Sequence, residues 1–361
     1  MRLVPIECVK NNSILARDIY GYNGDILLTS GSVLTDKIIK RIKDLGIFSI
    51  YIQYNYEDTS IEIEDIIKPE LRQKAITTVK ETFSDIKQCS LITNNNNKDY
   101  WHSIDTLVDQ LINDVINNKH TQVTLVDIKN LDNYTYSHCV NVAAISLVLG
   151  ISLNLNTEEL RNLCTGALLH DIGKVFIPPE IVQKKNKLTS EEFDIIKTHC
   201  KLGFEFIQKL EVFNPIVQTI ILQHHERIDG LGYPNQFRGD EINYLARIVS
   251  IADVYDALTS DRPYKRAFCP NDAVEYIMCN AGQLFDFNIV DVFSKIIVAY
   301  PTGTLVKLSN GDSAIVEKTI PYYPLRPIVK ITQSTSPERI NTSLNLIKNL
   351  SIVISYVIYD T

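Results

Sequence analysis

A set of histidines and aspartates on the inward side of predicted helices limits which folds this chain can adopt. Five of the seven histidines lie in the segment 138–225, where apolar residues recur with the helical period of about 3.6 residues. His138 follows Tyr134 by one turn and precedes Val142 and Ile145 by one and two turns, so it lies on an apolar stripe. Its side chain is therefore expected to point into the core.

The same reasoning places further imidazoles and carboxylates on inward helix faces: His170, Asp171, His199, His224, His225 and Asp253. His170 and Asp171 are expected at the end of a helix, for which Gly173 is the candidate terminator. Burying such groups is costly unless they pair with one another or bind a metal. With His138 there are seven candidate ligands, more than one octahedral ion accepts, so the sequence indicates two divalent ions.

Imidazole and carboxylate ligands without thiolate suit iron, manganese or zinc. The seven cysteines are scattered singly, without a CxxC pair, which argues against a disulfide framework and against a thiolate zinc site. We interpret Cys139 and Cys200, which adjoin candidate ligands, as core fillers. Asp256, one turn after Asp253, is interpreted as an outer hydrogen-bonding partner. His102 and His120 are outside the pattern and are interpreted as surface or linker residues.

The charge balance bears on the substrate. A net charge of -7 gives no general reason to bind a polyanion, so extended DNA or RNA is a poor candidate. Local positive charge comes from Lys174, Arg262 and Lys265, which are candidate phosphate contacts. Two close metal ions can activate a water to attack a phosphodiester, and Lys174 would stabilise the developing charge or protonate the leaving oxygen. Gly230 and Gly232 allow a ligand to approach the backbone closely.

The predicted fold class is mainly α, a helical bundle with a small α+β N-terminal domain and a C-terminal β appendage. Thr35 is the candidate N-cap of the N-terminal helix, and a second helix is predicted from Glu70 to Lys87. The N-terminus lacks an apolar signal region and no stretch approaches the roughly 20 apolar residues of a spanning helix, so a cytoplasmic protein without membrane contact is expected. The expected domains are 1–60 (small α+β), 61–120 (helical, low-complexity linker), 121–300 (catalytic) and 301–361 (β extension, beginning with a hairpin).

Taken in order, the motifs resemble the HD-GYP family of the HD phosphohydrolase superfamily, so the bundle is expected to be of the HD type. The resemblance covers about half the chain. The matching segments are YTYSHCVNVA (134–143), HDIGK (170–174), the single His199, HHERIDGLGYP (224–234) and RIVSIADVYDALTSDRPYKRA (247–267).

This resemblance implies a cyclic di-GMP phosphodiesterase that forms pGpG, with GMP as a candidate further product. Family members with a third metal carry a glutamate where this chain has Tyr134, so two ions are implied, with iron or manganese preferred. Lys174, Arg262 and Lys265 would contact substrate phosphates, with Gly230 and Tyr233 as further substrate contacts. A homodimer is a candidate assembly. The implied metal ligands are His138, His170, Asp171, His199, His224, His225 and Asp253.

Three alternatives stay open. Nothing in the sequence specifies the bases, so another cyclic dinucleotide such as cyclic GMP-AMP is a candidate substrate. A metal-containing sensor of cyclic di-GMP is the alternative from a different class, although the intact HDIGK motif and full ligand set count against it. A plain HD nucleotidase would leave His199, His224 and His225 unexplained.

Overall fold

The computed structural model describes residues 2–20, 25–45, 47, 49–53, 66–89, 98–117, 134–184, 186–260, 268–320 and 322–358. Two of the predicted phosphate contacts, Arg262 and Lys265, lie outside these described residues, as does His120.

The N-terminal region is a small α+β unit with its own apolar core. Helix α1 (Asp36–Asp44) begins after Thr35, whose hydroxyl accepts a hydrogen bond from the Ile38 backbone N–H, so the predicted N-cap is confirmed. Val4, Leu15 and Ile50 lie in the core of this unit. Its strands are β1 Arg2–Pro5, β2 Ser13–Ile14, β3 Ile19–Tyr20, β4 Ile26–Leu28, β5 Val33–Leu34 and β6 Ser49–Ile52. They form three antiparallel pairs, β1 with β6, β2 with β5 and β3 with β4.

Helices dominate the rest of the described chain, which confirms the predicted fold class. Most of them bury one apolar face in a single large core. Their bounds are α2 Pro69–Cys89, α3 Lys98–Asn117, α4 Tyr134–Ser152, α5 Thr157–Leu169, α6 Pro179–Val182, α7 Ser190–Lys197, α8 His199–Leu210, α9 Pro215–Gln223, α10 Tyr244–Thr259, α11 Pro270–Cys279 and α12 Phe287–Ile296.

Helices α2 and α3 belong to this large core. Val79 of α2 and Leu107 of α3 are buried in the same cluster as Leu147 of α4 and Leu163 of α5. The described part of the segment 61–120, interpreted from the sequence as a linker, is therefore packed into the helical bundle. The division into four domains, with its three boundaries, stays a prediction.

The C-terminal strands form a five-stranded antiparallel sheet in the order β10-β9-β8-β7-β11. The predicted hairpin is confirmed, since Leu305 pairs with Ile315. Val306, Val316 and Val329 bury their side chains in the large helical core, so the sheet packs directly against the bundle. The strand bounds are β7 Leu305–Leu308, β8 Ser313–Lys318, β9 Ile328–Gln333, β10 Ser343–Asn345 and β11 Ile354–Val357.

One described helical stretch, Thr135–Ser152 in α4, is long and apolar enough to cross a membrane. Of this stretch 67% is buried inside the protein, where it packs against α5 and α10. It carries buried polar side chains, among them His138 and Asn141. These properties are those of a bundle's central helix.

Gly173 does not act as the predicted helix terminator. Helix α5 ends at Leu169, and the chain continues through His170 and Asp171 into a 3-10 turn at Ile172–Phe176. A β-carbon on Gly173 would lie 1.9 Å from the backbone oxygen of His199. The glycine is therefore required for close approach between this turn and the start of α8, which brings two of the predicted ligand segments together.

We predict that Gly173→Ala destabilises the fold by about 1–3 kcal/mol or more, because the added methyl group collides with backbone that cannot rotate away. Urea unfolding with a chelator present measures the change without a contribution from bound metal. Gly150→Ala in α4 is the matched control. The nearest neighbours of its β-carbon would be terminal methyl groups of Leu163 and Leu160, at 2.8 and 2.9 Å, which can rotate away, and alanine favours the helix by about 1 kcal/mol. Equal unfolding midpoints for Gly173→Ala and the natural chain would contradict this assignment.

Candidate metal centre

The seven predicted ligands meet in the interior of the bundle. They come from α4, the end of α5, the start of α8, the end of α9 and α10. In each of two groups, the potential ligand atoms lie within 4.8 Å of one another. The first group is His138, His170 and Asp171, and the second is His199, Cys200, His224 and His225.

Three of the histidines are held in the same way at helix boundaries. His170 and His224 cap the C-terminal ends of α5 and α9, and His199 follows α7 by two residues. In each case the Nδ1–H donates to the backbone carbonyl three residues earlier, at 2.8 Å for His170, 2.9 Å for His224 and 2.7 Å for His199. A carbonyl can only accept, so the proton of a neutral ring lies on Nδ1. Each Nε2 therefore carries a lone pair and no proton.

These lone pairs point at one another. Nε2 of His199 lies 3.3 Å from Nε2 of His224, although neither nitrogen has a proton to donate. Nε2 of His170 is fully buried and has no hydrogen-bond partner among the described residues. Burial holds the pKa of His199 at about 3 and also lowers the pKa values of His170 and His224, so protonation does not relieve the repulsion. A cation bound between these nitrogens would relieve the repulsion between their lone pairs.

Asp171 faces both groups. Its Oδ2 lies 3.5 Å from Nε2 of His170 and its Oδ1 lies 3.5 Å from Nε2 of His199. Oδ1 is buried and has no hydrogen-bond donor among the described residues. Burial opposes ionisation, but the charge of Lys174 and the neighbouring imidazoles outweighs it and holds the pKa of Asp171 well below its usual range. The result is a buried carboxylate anion with one oxygen toward each group.

Asp253 also spans the two groups, with Oδ1 3.0 Å from Nε2 of His138 and Oδ2 3.6 Å from Nδ1 of His225. Burial lowers the pKa of His138, but hydrogen bonds with Asp253 and Asp256 outweigh it and raise that pKa to about 9. A cation bound at Nε2 of His138 would displace the proton shared with Asp253. His225 is kept neutral by burial, which lowers its pKa to about 4.

A chain of buried hydrogen bonds orients His138 from behind. Asp256 Oδ2 accepts from Nδ1 of His138 at 2.7 Å, and Asp256 Oδ1 accepts from the Asn141 amide at 3.0 Å. The Asn141 carbonyl in turn accepts from the guanidinium of Arg72, on α2. The hydrogen bond expected of Asp256 is present, and its role as an outer partner of a metal ligand stays a prediction. The sequence analysis missed Arg72 and Asn141, because contacts across 69 and 115 positions leave no local pattern.

The candidate catalytic and substrate residues lie at the edge of the cluster. Lys174 donates to Asp171 Oδ2 at 2.7 Å, and its side chain is 28% exposed. The Tyr233 ring stacks obliquely on His225 with ring centroids 4.7 Å apart. Gly230 is buried, and a β-carbon there would meet the Arg238 side chain at 2.4 Å. This glycine has a packing role, and its contact with substrate stays a prediction.

Among the described residues, the donor set fits divalent metal ions. Neutral imidazoles and ionised carboxylates are ligands for transition metals, and hydrogen bonding of the far ring nitrogen is how proteins orient metal-binding histidines. Nε2 of His170 and Oδ1 of Asp171 are buried without a hydrogen-bond partner among these residues, and a cation would stabilise both. Cys200, interpreted from the sequence as a core filler, adds a sulfur to the second group.

Comparison with known proteins finds a family model over the region that carries the cluster. The HD domain family model matches residues 109–289, a range that includes every predicted metal ligand. A cyclic di-GMP phosphodiesterase of Pseudomonas aeruginosa is 36% identical over 233 residues, which cover 64% of this chain and 56% of the relative. The cyclic di-GMP phosphodiesterase response regulator RpfG of Xanthomonas campestris is 38% identical over 167 residues, 45% of this chain and 44% of the relative. The chain therefore spans about half the length of these two relatives.

Two further matches extend the comparison. A 3'3'-cGAMP-specific phosphodiesterase of Vibrio cholerae is 34% identical over 159 residues, 44% of this chain and 30% of the relative. Among solved structures, an HDG"Y"P protein from Bdellovibrio bacteriovorus superimposes with a TM-score of 0.50 and 20% identity, over 81% of this chain and 97% of that one. The structural match concerns the fold alone, and it agrees with the predicted HD-type bundle.

We predict that Asp256→Asn weakens metal binding about 10- to 100-fold, because asparagine has one carbonyl oxygen where Asp256 accepts from both His138 and Asn141. Calorimetric titration of the metal-free protein with Mn²⁺ measures the change. Asp291→Asn is the control, since it makes the same substitution in an exposed ion pair with Lys295. An unchanged affinity of Asp256→Asn for Mn²⁺ would show that this hydrogen-bond chain does not contribute to metal binding.

Proposed function

We propose that this chain, which belongs to the HD domain family, is a metal-dependent phosphodiesterase that hydrolyses cyclic di-GMP to pGpG, with GMP as a candidate further product. One observation carries this proposal: imidazole nitrogens without a proton converge with two buried carboxylates. Each carboxylate, that of Asp171 and that of Asp253, faces both ligand groups. The names of the two relatives at 36% and 38% identity support cyclic di-GMP as the substrate.

We propose two divalent ions, with iron or manganese preferred. His138, His170 and Asp171 would hold one, and His199, His224 and His225 the other. Asp171 and Asp253 each face both groups, so their carboxylates would contribute ligand oxygens to both ions. When bound, such ions supply Lewis-acid activation of the attacking water and neutralise charge on the phosphodiester.

Lys174 is proposed to act by charge. Burial disfavours its charged form, but the Asp171 carboxylate outweighs this effect and raises the pKa of Lys174. A lysine with a raised pKa is a poor proton donor and a permanent cation. Of the two roles predicted for it, stabilising negative charge on the reacting phosphate is therefore favoured over protonating the leaving oxygen.

Tyr233 is proposed to bind the substrate beside the second metal group. Its ring packs on His225 and lies 6.4 Å from the His199 ring, so it forms part of the wall of the site. An aromatic face at this position suits stacking with a nucleobase. It does not by itself distinguish guanine from adenine.

A second candidate substrate is cyclic GMP-AMP, which the relative from Vibrio cholerae supports by its name. A sensor function is less well supported, because a binding module has no use for the Lys174–Asp171 ion pair beside the ligands. Homodimer assembly and a cytoplasmic location stay predictions.

The direct test incubates anaerobically purified, Mn²⁺-loaded protein with cyclic di-GMP and, separately, with 3'3'-cyclic GMP-AMP, and separates the products by chromatography. We expect pGpG from cyclic di-GMP. Cleavage of cyclic GMP-AMP alone would replace the substrate assignment, and tight binding without hydrolysis of either nucleotide would favour a sensor.

We predict that His170→Ala and Asp171→Ala each abolish turnover while the fold is retained, because each removes a ligand that no neighbouring side chain can replace. Turnover and far-ultraviolet circular dichroism are measured on the same samples. His102→Ala is the control for loss of an imidazole, since His102 lies exposed on α3. Turnover at the natural rate in either ligand variant would refute the assignment of the site.

We predict that Arg262→Ala raises KM for cyclic di-GMP about tenfold or more with a smaller effect on kcat. A hydrogen bond to a charged group contributes about 1.5–3 kcal/mol, and about 1.4 kcal/mol corresponds to tenfold. Steady-state kinetics measure both constants, with Arg339→Ala as a control because Arg339 pairs with Asp312 in the C-terminal region. An unaltered KM would exclude Arg262 from phosphate binding.

A further inference from the structure

Cys200 lies inside the metal cluster. It is the second residue of α8, its side chain is fully buried, and its sulfur lies 3.5 Å from Nε2 of His199. The sulfur and the ligand nitrogens of His199, His224 and His225 all lie within 4.8 Å of one another. A cysteine that only filled space in the core would not need to face three imidazoles.

The distances fit ligands that share one ion. Metal–nitrogen and metal–sulfur bonds of about 2.0–2.3 Å at tetrahedral or octahedral angles place neighbouring ligand atoms about 3–3.7 Å apart. The His199 nitrogen lies 3.3 Å from the His224 nitrogen and 3.5 Å from the Cys200 sulfur, so both distances fall in this range.

Independent observations indicate that an ion belongs at this place. Oδ1 of Asp171, which points at His199 from the other side, is buried without a hydrogen-bond donor among the described residues. Nε2 of His199 and Nε2 of His224 face each other without a proton, because each ring donates its Nδ1–H to a backbone carbonyl.

The simpler role for Cys200 is a thiol that donates its proton to Nε2 of His199. This role holds only while that nitrogen is free of metal. One lone pair cannot accept the thiol proton and also bind an ion. When His199 binds the ion, the thiol loses this acceptor, while its sulfur stays at ligand distance.

We infer that Cys200 is a thiolate ligand of the ion held by His199, His224 and His225. This inference rests on the proposed two-metal function. On binding, the S–H bond of Cys200 breaks, a sulfur–metal bond forms, and the proton leaves to solvent. Thiolate is a soft ligand, so this position would favour iron or zinc over manganese. The two ions would then differ in donor set, with nitrogen and oxygen around one and an added sulfur around the other.

The test uses the full chain, freed of metal under anaerobic conditions and loaded with Co²⁺. Cobalt bound by thiolate absorbs in the near ultraviolet by charge transfer from sulfur, whereas cobalt bound only by nitrogen and oxygen lacks this band. We expect the band in the natural protein, its loss in Cys200→Ser, and its retention in Cys164→Ser. The control removes a thiol that is equally buried but lies on α5 outside both ligand groups.

A second measurement uses the natural protein and therefore does not require that any variant folds. X-ray absorption of the zinc-loaded natural protein should show a sulfur neighbour at about 2.3 Å in addition to nitrogen and oxygen neighbours at about 2.0–2.2 Å. Two bound ions with no sulfur neighbour and no charge-transfer band would overturn the inference and leave the proposed function intact. Failure to bind cobalt or zinc at all would overturn both.

Discussion

The structure depends on a single electrostatic constraint, the convergence of nitrogen lone pairs and carboxylate oxygens in the interior of the helical bundle. His170, His199 and His224 each commit their only proton to a backbone carbonyl, so the inward nitrogens can accept but cannot donate. Asp171 adds negative charge at the same place. Such an arrangement is costly in a protein interior unless positive charge is bound there. Metal ions supply that charge and also the chemistry that the proposed function needs.

The surrounding fold positions these groups through helix boundaries and long-range contacts. Each of the three histidines donates to a carbonyl in the last turn of a helix, where the regular hydrogen bonding of the helix interior ends. The close approach at Gly173 brings the end of α5 against the start of α8. Behind His138, the Asp256–Asn141–Arg72 chain ties α10 and α4 to α2. The ligand geometry is therefore built into the packing of the bundle, including helices far away in the sequence.

Much of this arrangement could be predicted from the sequence, because helical periodicity shows which side chains face inward. The stripe that carries His138 and the ends that carry His170 and His224 are local patterns. Contacts between distant segments leave no such pattern. The packing of α2 and α3 into the core and the reach of Arg72 to Asn141 thus went unpredicted. Cys200 adjoins His199 in the sequence, but only the fold brings it to His224 and His225, so the sequence alone favours a core filler.

The measurement that tests this account most directly is the metal content of anaerobically purified protein, determined by mass spectrometry before and after treatment with a chelator. The account predicts about two transition-metal ions per chain, because the ligands form two groups and two carboxylates face both of them. It also predicts that chelation removes phosphodiesterase activity and that added metal restores it. Protein that contains no metal and hydrolyses cyclic di-GMP at an undiminished rate would contradict it.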